Sequence, residues 1–192
     1  MRRLIKTLQA QIEPHFLYNT LANVHSLIET DPNTASAMLE NFIKYLRSSL
    51  ARSRDTEVSL KQEVELLRAY LDIQKVRLSG RLEYSIHVDD GLMTFPLPPM
   101  LLQPLVENAV KHGVEPKIRG GKIEVTAREE NGHVRLTVAD NGIGFTSGVA
   151  DGFGLVNVRS RVNSLYAERG RFSLCGGPDG GVTAEIIVPR EK

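Results

Sequence analysis

His15 sits in Gln11-Ile-Glu-Pro-His-Phe-Leu-Tyr-Asn19, with a carboxamide four residues before it and another four residues after it. An imidazole is neutral or charged near pH 7, so it can act as a nucleophile or carry a proton. Further along, Glu107-Asn-Ala-Val-Lys-His-Gly113 gathers a carboxylate, an amide, an ammonium and a second imidazole. Asp140-Asn-Gly-Ile-Gly144 then places an acid before glycines, and Gly152-Phe-Gly-Leu155 puts glycines at the start of an apolar-periodic stretch. Free N–H groups at such a helix start form an anion site. One group that receives and a pocket that supplies is the chemistry these clusters suggest.

The elements that must carry them follow from periodicity. Leu17, Leu21, Val24 and Ile28 recur at helical spacing, and Ala35, Met38, Leu39, Phe42, Ile43, Leu46 and Leu50 do so after Asp31-Pro32. Taking Leu17 as zero and 100° per residue, His15 lies roughly 160° away and should face solvent. Pro14 lacks an N–H, so a kink is expected just before the imidazole. Two apolar stripes on two helices do not close a core alone, so the hairpin is expected to pair with a second copy as a four-helix bundle, making a homodimer.

Residues 53–56 read as a linker, and Ser59-Leu-Lys-Gln62 has the capping-box pattern that opens a helix to about Leu78. The spacing then predicts a strand over 82–88, a helix over 100–112, strands over 122–128 and 133–139, a helix over 155–168, and strands over 171–174 and 182–188. In the first of these helices Leu101, Leu102, Leu105, Val106, Ala109 and Val110 form the buried stripe, with Asn108, His112 and Lys111 sharing one sector at its edge. In the second, Leu155, Val158, Val162 and Leu165 should face inward. Val134, Leu136 and Val138 alternate and deliver Asp140 at a strand end, where Asn141-Gly142 carries the strongest short hairpin signal. Gly176-Gly-Pro-Asp-Gly-Gly181 reads as a hairpin loop. The expectation is an α+β fold: a helical hairpin domain over 1–56 and an α/β sandwich over 57–192.

A chain of 192 residues with 41% hydrophobic residues can bury such cores. Its formal charge of +1 gives no field that would draw nucleic acid. The single cysteine, Cys175, excludes an internal disulfide and reads as a small residue near a strand end. No apolar run reaches the roughly 20 residues needed to span a bilayer, and no signal-peptide core follows Met1-Arg-Arg. A soluble fragment lacking an upstream sensing part is expected.

Gln11-Ile-Glu-Pro-His-Phe-Leu-Tyr-Asn-Thr-Leu21 resembles the phosphoacceptor signature of sensor histidine kinases of the LytS/YehU type. On that resemblance His15 is phosphorylated by ATP, with Gln11 and Asn19 able to hold its ring. Many histidine kinases place an acid directly after the histidine. Phe16 stands there, and the proton acceptor is left open. Glu107-Asn-Ala-Val-Lys-His-Gly113 is similar to the asparagine box of the GHKL superfamily, which implies that Asn108 ligates Mg²⁺ while Glu107, Lys111 and His112 lie along the nucleotide. Asp140-Asn-Gly-Ile-Gly144 resembles its first glycine box, with Asp140 accepting from the adenine amino group and Gly142 and Gly144 admitting the base. Gly152, Gly154 and Leu155 fall in the next box, and residues 145–151 would be the lid. In the last box Val182 stands where threonine is common, so either Asp140 loses a hydrogen bond or Thr183 supplies it.

The resemblance implies a histidine autokinase of a two-component system using ATP and Mg²⁺. It further implies a response-regulator receiver domain as partner and a cytoplasmic fragment of a membrane-attached sensor. A gyrase-like ATPase would place a glutamate four residues before Asn108, where Pro104 stands. His25 reads as structural or exposed.

Overall fold

The computed structural model describes residues 14–52, 56–145, 153–177 and 179–191. Helix α1 (Pro14–Thr30) and helix α2 (Pro32–Arg52) form the hairpin. Asp31 makes the turn because its carboxylate accepts from the backbone N–H of Thr34 at 3.1 Å and from the Thr34 hydroxyl at 2.6 Å, while Pro32 starts the second helix with a preset φ. Those bonds favour the ionised acid and lower the pKa of Asp31.

The inner face of α1 is not the predicted stripe. Phe16, Thr20 and Val24 are buried, whereas Leu21 and Ile28 are exposed, and Leu17 is half-buried. On α2 the buried set is Ala35, Met38, Phe42, Tyr45 and Ser49, while Leu39, Ile43 and Leu50 are exposed. Each helix therefore has two apolar faces. One packs on helix α3 (Leu60–Arg77) of the same chain, which the periodicity alone did not show. The contact is aromatic: the Phe16 ring lies 5.2 Å from Tyr45 and from Tyr70 and 6.2 Å from Phe42, between centroids. Tilted and edge-on rings at these separations attract through their quadrupoles as well as by burial.

Helix α3 starts as its sequence predicts. The Ser59 hydroxyl accepts from the Gln62 N–H, and the Gln62 side chain accepts from the Ser59 N–H at 2.8 Å, so two otherwise orphaned donors are satisfied. Strand β1 (Val58–Ser59) pairs with β3 (Pro96–Leu97). The main sheet has the order β2-β4-β5-β7-β6, from β2 (Leu82–Val88), β4 (Gly121–Glu130), β5 (His133–Asp140), β6 (Arg171–Gly176) and β7 (Val182–Pro189). Only the β2–β4 pairing is parallel; the rest of the sheet is antiparallel. Helices α3, α4 (Gln103–Asn108) and α5 (Phe153–Tyr166) pack against it around one core, which gives an α+β sandwich with a helical amino-terminal portion.

Three local expectations change. Helix α4 begins later than predicted, and from Ala109 to Val114 the chain winds as a π-helix, with the Glu115 N–H bonded to the Val110 carbonyl at 2.8 Å. Leu165 is exposed and Tyr166 is buried in its place. The hairpin turn falls at Asn131-Gly132, both with positive φ, rather than at Asn141-Gly142. No helix among the described residues is long and apolar enough to cross a membrane.

Candidate functional site

Alternation on β5 puts Val134, Leu136, Val138 and Asp140 on the inward face, so the last step of an apolar series delivers a carboxylate into the core edge. Asp140 is 8% exposed. Its Oδ1 accepts from the Gly142 N–H at 2.8 Å, and the backbone N–H of Val182 also bonds to the carboxylate. This bond comes from the Val182 backbone and would be made by any residue there, so it does not replace the side-chain hydrogen bond that a threonine could add. Burial raises the Asp140 pKa, opposed by those two N–H groups and by the charge of Lys117.

Asn141-Gly142 makes no hairpin because Gly142 lies backbone to backbone on Gly113. A Cβ on Gly142 would stand 2.2 Å from the Gly113 carbonyl carbon, and one on Gly113 would stand 2.5 Å from Asp140 Oδ1. The Ile143 N–H donates to the Gly113 carbonyl at 3.1 Å and locks the approach. A narrow cleft of about 30 Å³ opens here, lined by Asn108, His112, Gly113, Asp140, Gly144, Phe145 and Leu155 together with Leu174 and Val182.

The other face of α4 and its π-turn borders a larger cavity of about 220 Å³. Glu107, Lys111 and Glu115 line it from this side, Tyr70, Gln74 and Arg77 from α3, and His15, Phe16 and Asn19 from α1. His15 is exposed, as its position on the helix predicts, and Asn19 Nδ2 lies 3.2 Å from both ring nitrogens. Asn108, His112 and Lys111 therefore do not share one sector. Asn108 and His112 face the Asp140 cleft, and Lys111 faces the His15 cavity.

Gly154 packs toward Pro104, 3.4 Å from where its Cβ would be. Gln11, Gly152, residues 146–151 of the lid expected over 145–151, and the backbone before Pro14, where a kink was expected, lie outside the described residues. His25 and Cys175 are exposed.

Several residues at these sites carry no local sequence signal. Arg77 donates from both terminal nitrogens to the two Glu115 oxygens at 2.7 Å each, and from Nε to Gln74 at 2.5 Å. Glu63, fully buried on α3, accepts from the backbone N–H groups of Met100 and Leu102 at 2.7 and 3.2 Å. It thereby fixes the entry to α4, whose N-cap Leu102 has no side-chain acceptor.

Residues 4–82 match the family model described as histidine kinase, and residues 99–192 match that described as histidine kinase-, DNA gyrase B-, and HSP90-like ATPase. The chain belongs to the histidine kinase family. Sensor protein LytS of Oceanobacillus iheyensis is 32% identical over 98% of this chain and 36% of its own length. The protein YwpD of Bacillus subtilis is 35% identical over 94% of this chain and 68% of its own. Thus the chain spans about a third of the LytS relative's length and two thirds of YwpD's. Histidine kinase AdeS of Acinetobacter baumannii shares the fold, with a TM-score of 0.56 at 12% identity over 92% of this chain and 96% of that one. Within this histidine kinase chain, the carboxy-terminal portion is a GHKL-type ATPase sandwich.

Proposed function

We propose that the chain is an ATP-dependent histidine autokinase of a two-component system. In this reading residues 57–192 hold Mg·ATP, and His15, in a hairpin domain over 1–56, takes the γ-phosphoryl and passes it to an aspartate of a response-regulator receiver domain. The observation that carries the proposal is the two-sided helix. Asn108 and His112 face the Asp140 cleft, while Lys111, one residue on from Val110, faces the cavity that His15 also lines. A triphosphate whose base rests on Asp140 and whose phosphates run past Asn108 would end toward Lys111 and His15.

Asp140 keeps lone pairs beyond those taken by Gly142 and Val182, so it can accept from an adenine amino group. Guanine would set a carbonyl oxygen against it. The cleft is narrow, and Phe145, at 58% exposure, is the lining side chain with most room to swing outward as a purine enters. Gly144 leaves no side chain in the way, and Gly154 and Leu155 start the helix that follows; Gly152 would belong to the same glycine box.

Among the described residues no cluster of three acids, histidines or cysteines could hold a metal. In this reading magnesium is instead bound through one protein amide oxygen, Asn108, with phosphate oxygens and waters completing a hard, octahedral shell. Bound there it would neutralise phosphate charge.

At His15, an Asn19 amide N–H donates to whichever ring nitrogen is unprotonated. A half-turn of that amide would let its oxygen accept from Nδ1–H and leave the Nε2 lone pair for phosphorus. The N–P bond then forms as the bond from phosphorus to the bridging oxygen breaks, with the electron pair leaving on ADP. Gln11 is the second carboxamide in reach by sequence.

The exposed faces of Leu21, Ile28, Leu39, Ile43 and Leu50 support a homodimer through a four-helix bundle. The relatives' names and greater length support a longer sensor; in this reading its upstream part is membrane-attached and this portion lies on the cytoplasmic side.

The deciding experiment is labelling from γ-labelled ATP. His15→Gln should remove an acid-labile, base-stable label while ATP still binds, and persistent labelling would refute the assignment.

A further inference from the structure

The Arg77–Glu115 pair is built with more precision than a surface ion pair needs. Arg77 ends α3, with Nε held by Gln74 Oε1 at 2.5 Å and its two terminal nitrogens on the two Glu115 oxygens. A guanidinium fork on a carboxylate fixes the plane of the acid as well as its distance. Glu115 follows the π-turn, and the turn explains its direction. In an α-helix, steps of four residues drift around the axis, and a widened turn drifts them back. Glu107, Lys111 and Glu115 consequently all reach the cavity that His15 lines.

That cavity contains two carboxylates and two cations besides the imidazole, so it is no simple anion pocket. Phe16, beside the imidazole in sequence, is buried among Tyr45, Phe42 and Tyr70 and offers no polar atom. Glu107 already accepts from the Gln103 amide at 2.9 Å. Glu115 is a carboxylate whose plane and distance are set by the two-pronged Arg77 clamp. Arg77 holds its acid below the usual range against partial burial, and the positive charges of His15 and Lys111 add to the lowering.

We propose that Glu115, clamped by Arg77, is the positioning residue for His15, orienting the ring and stabilising the positive charge it gains as the N–P bond forms. The proton on the opposite ring nitrogen stays there through the transfer and is lost to water afterwards. Glu115 remains a carboxylate throughout. This rests on the reading of His15 as the acceptor.

The test compares the chain with Glu115→Gln and Glu115→Asp at saturating Mg·ATP, measuring the initial rate of His15 labelling and, separately, nucleotide affinity. Glu115→Gln should slow labelling roughly tenfold to a hundredfold with affinity unchanged, and Glu115→Asp should recover most of the rate. An unchanged rate, affinity falling in step with rate, or equal loss in both variants would overturn the proposal. A second measurement needs no phosphorylation: carbethoxylation of His15 by diethyl pyrocarbonate, followed by peptide mass, with exposed His25 as internal reference. Glu115→Gln should slow the reaction at His15 severalfold and leave His25 unchanged. Equal rates at His15 in both proteins would sink the proposal whether or not the parent chain labels. Absence of label in the parent, with the His15 effect present, would instead count against the acceptor reading alone.

Discussion

The Asp140 cleft and the His15 cavity share one helix, yet they are made of different material. Around Asp140 the cleft is set by backbone contacts: Gly142 on Gly113, Gly144 on the Gly180 carbonyl, and Gly181 so near Asp140 that a Cβ would stand 1.9 Å from its carbonyl oxygen. The cavity is walled by side chains, aromatic on the hairpin side and charged on the side of α3 and the π-turn. Backbone in contact with backbone cannot repack, so the floor around Asp140 is fixed even where Phe145 at the rim has room to move. Side chains in contact can part and meet again, so the cavity can open without unfolding either wall. The proposed transfer, which would bring His15 to a phosphoryl group, would need one rigid partner and one separable contact, and the two regions differ in just that respect.

The harshest test of the rigid side is Gly142→Ala. The new methyl would meet Gly113 carbon and oxygen at 2.2 to 2.3 Å, where no rotamer can give way. The chain should lose roughly 3 kcal/mol of stability by overpacking, with nucleotide affinity lost alongside. Thermal melting and nucleotide titration would read both. An alanine variant that melts and binds like the parent would show that the backbone wall is softer than its distances imply.

On the separable side, Phe16→Ala removes the ring that joins α1 to Tyr45 and Tyr70. It should cost about 3 kcal/mol of apparent stability and leave nucleotide affinity alone. The opposite face provides the control. Ile43, 43% exposed, should tolerate lysine with little loss inside the protomer, but a charge there should break a bundle between copies. Light scattering at micromolar concentration should then find Ile43→Lys monomeric and Phe16→Ala dimeric. If Ile43→Lys remained a dimer, or the parent were already a monomer, the exposed stripe would not be the interface.

The same contrast explains what the sequence revealed. The Ser59–Gln62 cap, the 82–88 strand and the alternation that ends on Asp140 depend on neighbours in sequence, and each was readable there. On the hairpin, helical spacing marked the apolar positions but could not tell which of two faces meets α3 and which stays exposed, because that depends on Tyr70, far along the chain. Asn131-Gly132 and Asn141-Gly142 are the same dipeptide. The first makes the hairpin because β4 and β5 pair on either side of it, and the second is held against Gly113 by a contact across the fold. The Arg77–Glu115 clamp joins residues 38 apart, and the π-turn that aims Glu115 has no residue pattern of its own.

Acidification should separate the two regions by sign. Burial raises the Asp140 pKa above its ordinary 3.8, so on lowering the pH this group takes up a proton before exposed aspartates do, and the fold with Asp140 protonated is favoured over the ionised one. Glu115 behaves oppositely. Arg77 lowers its pKa from 4.5, so the stability it contributes is present above 4.5 and is lost only as the pH falls through the depressed folded value. Its half-exposed setting keeps that contribution small. As the pH falls, nucleotide affinity should therefore weaken before the melting temperature of the nucleotide-free chain does. Titrations and melts in the same buffers would check this. If affinity and melting temperature declined together from the same pH, the two regions would not be electrostatically distinct, and the division between a fixed cleft and a separable cavity would lose its chemical basis.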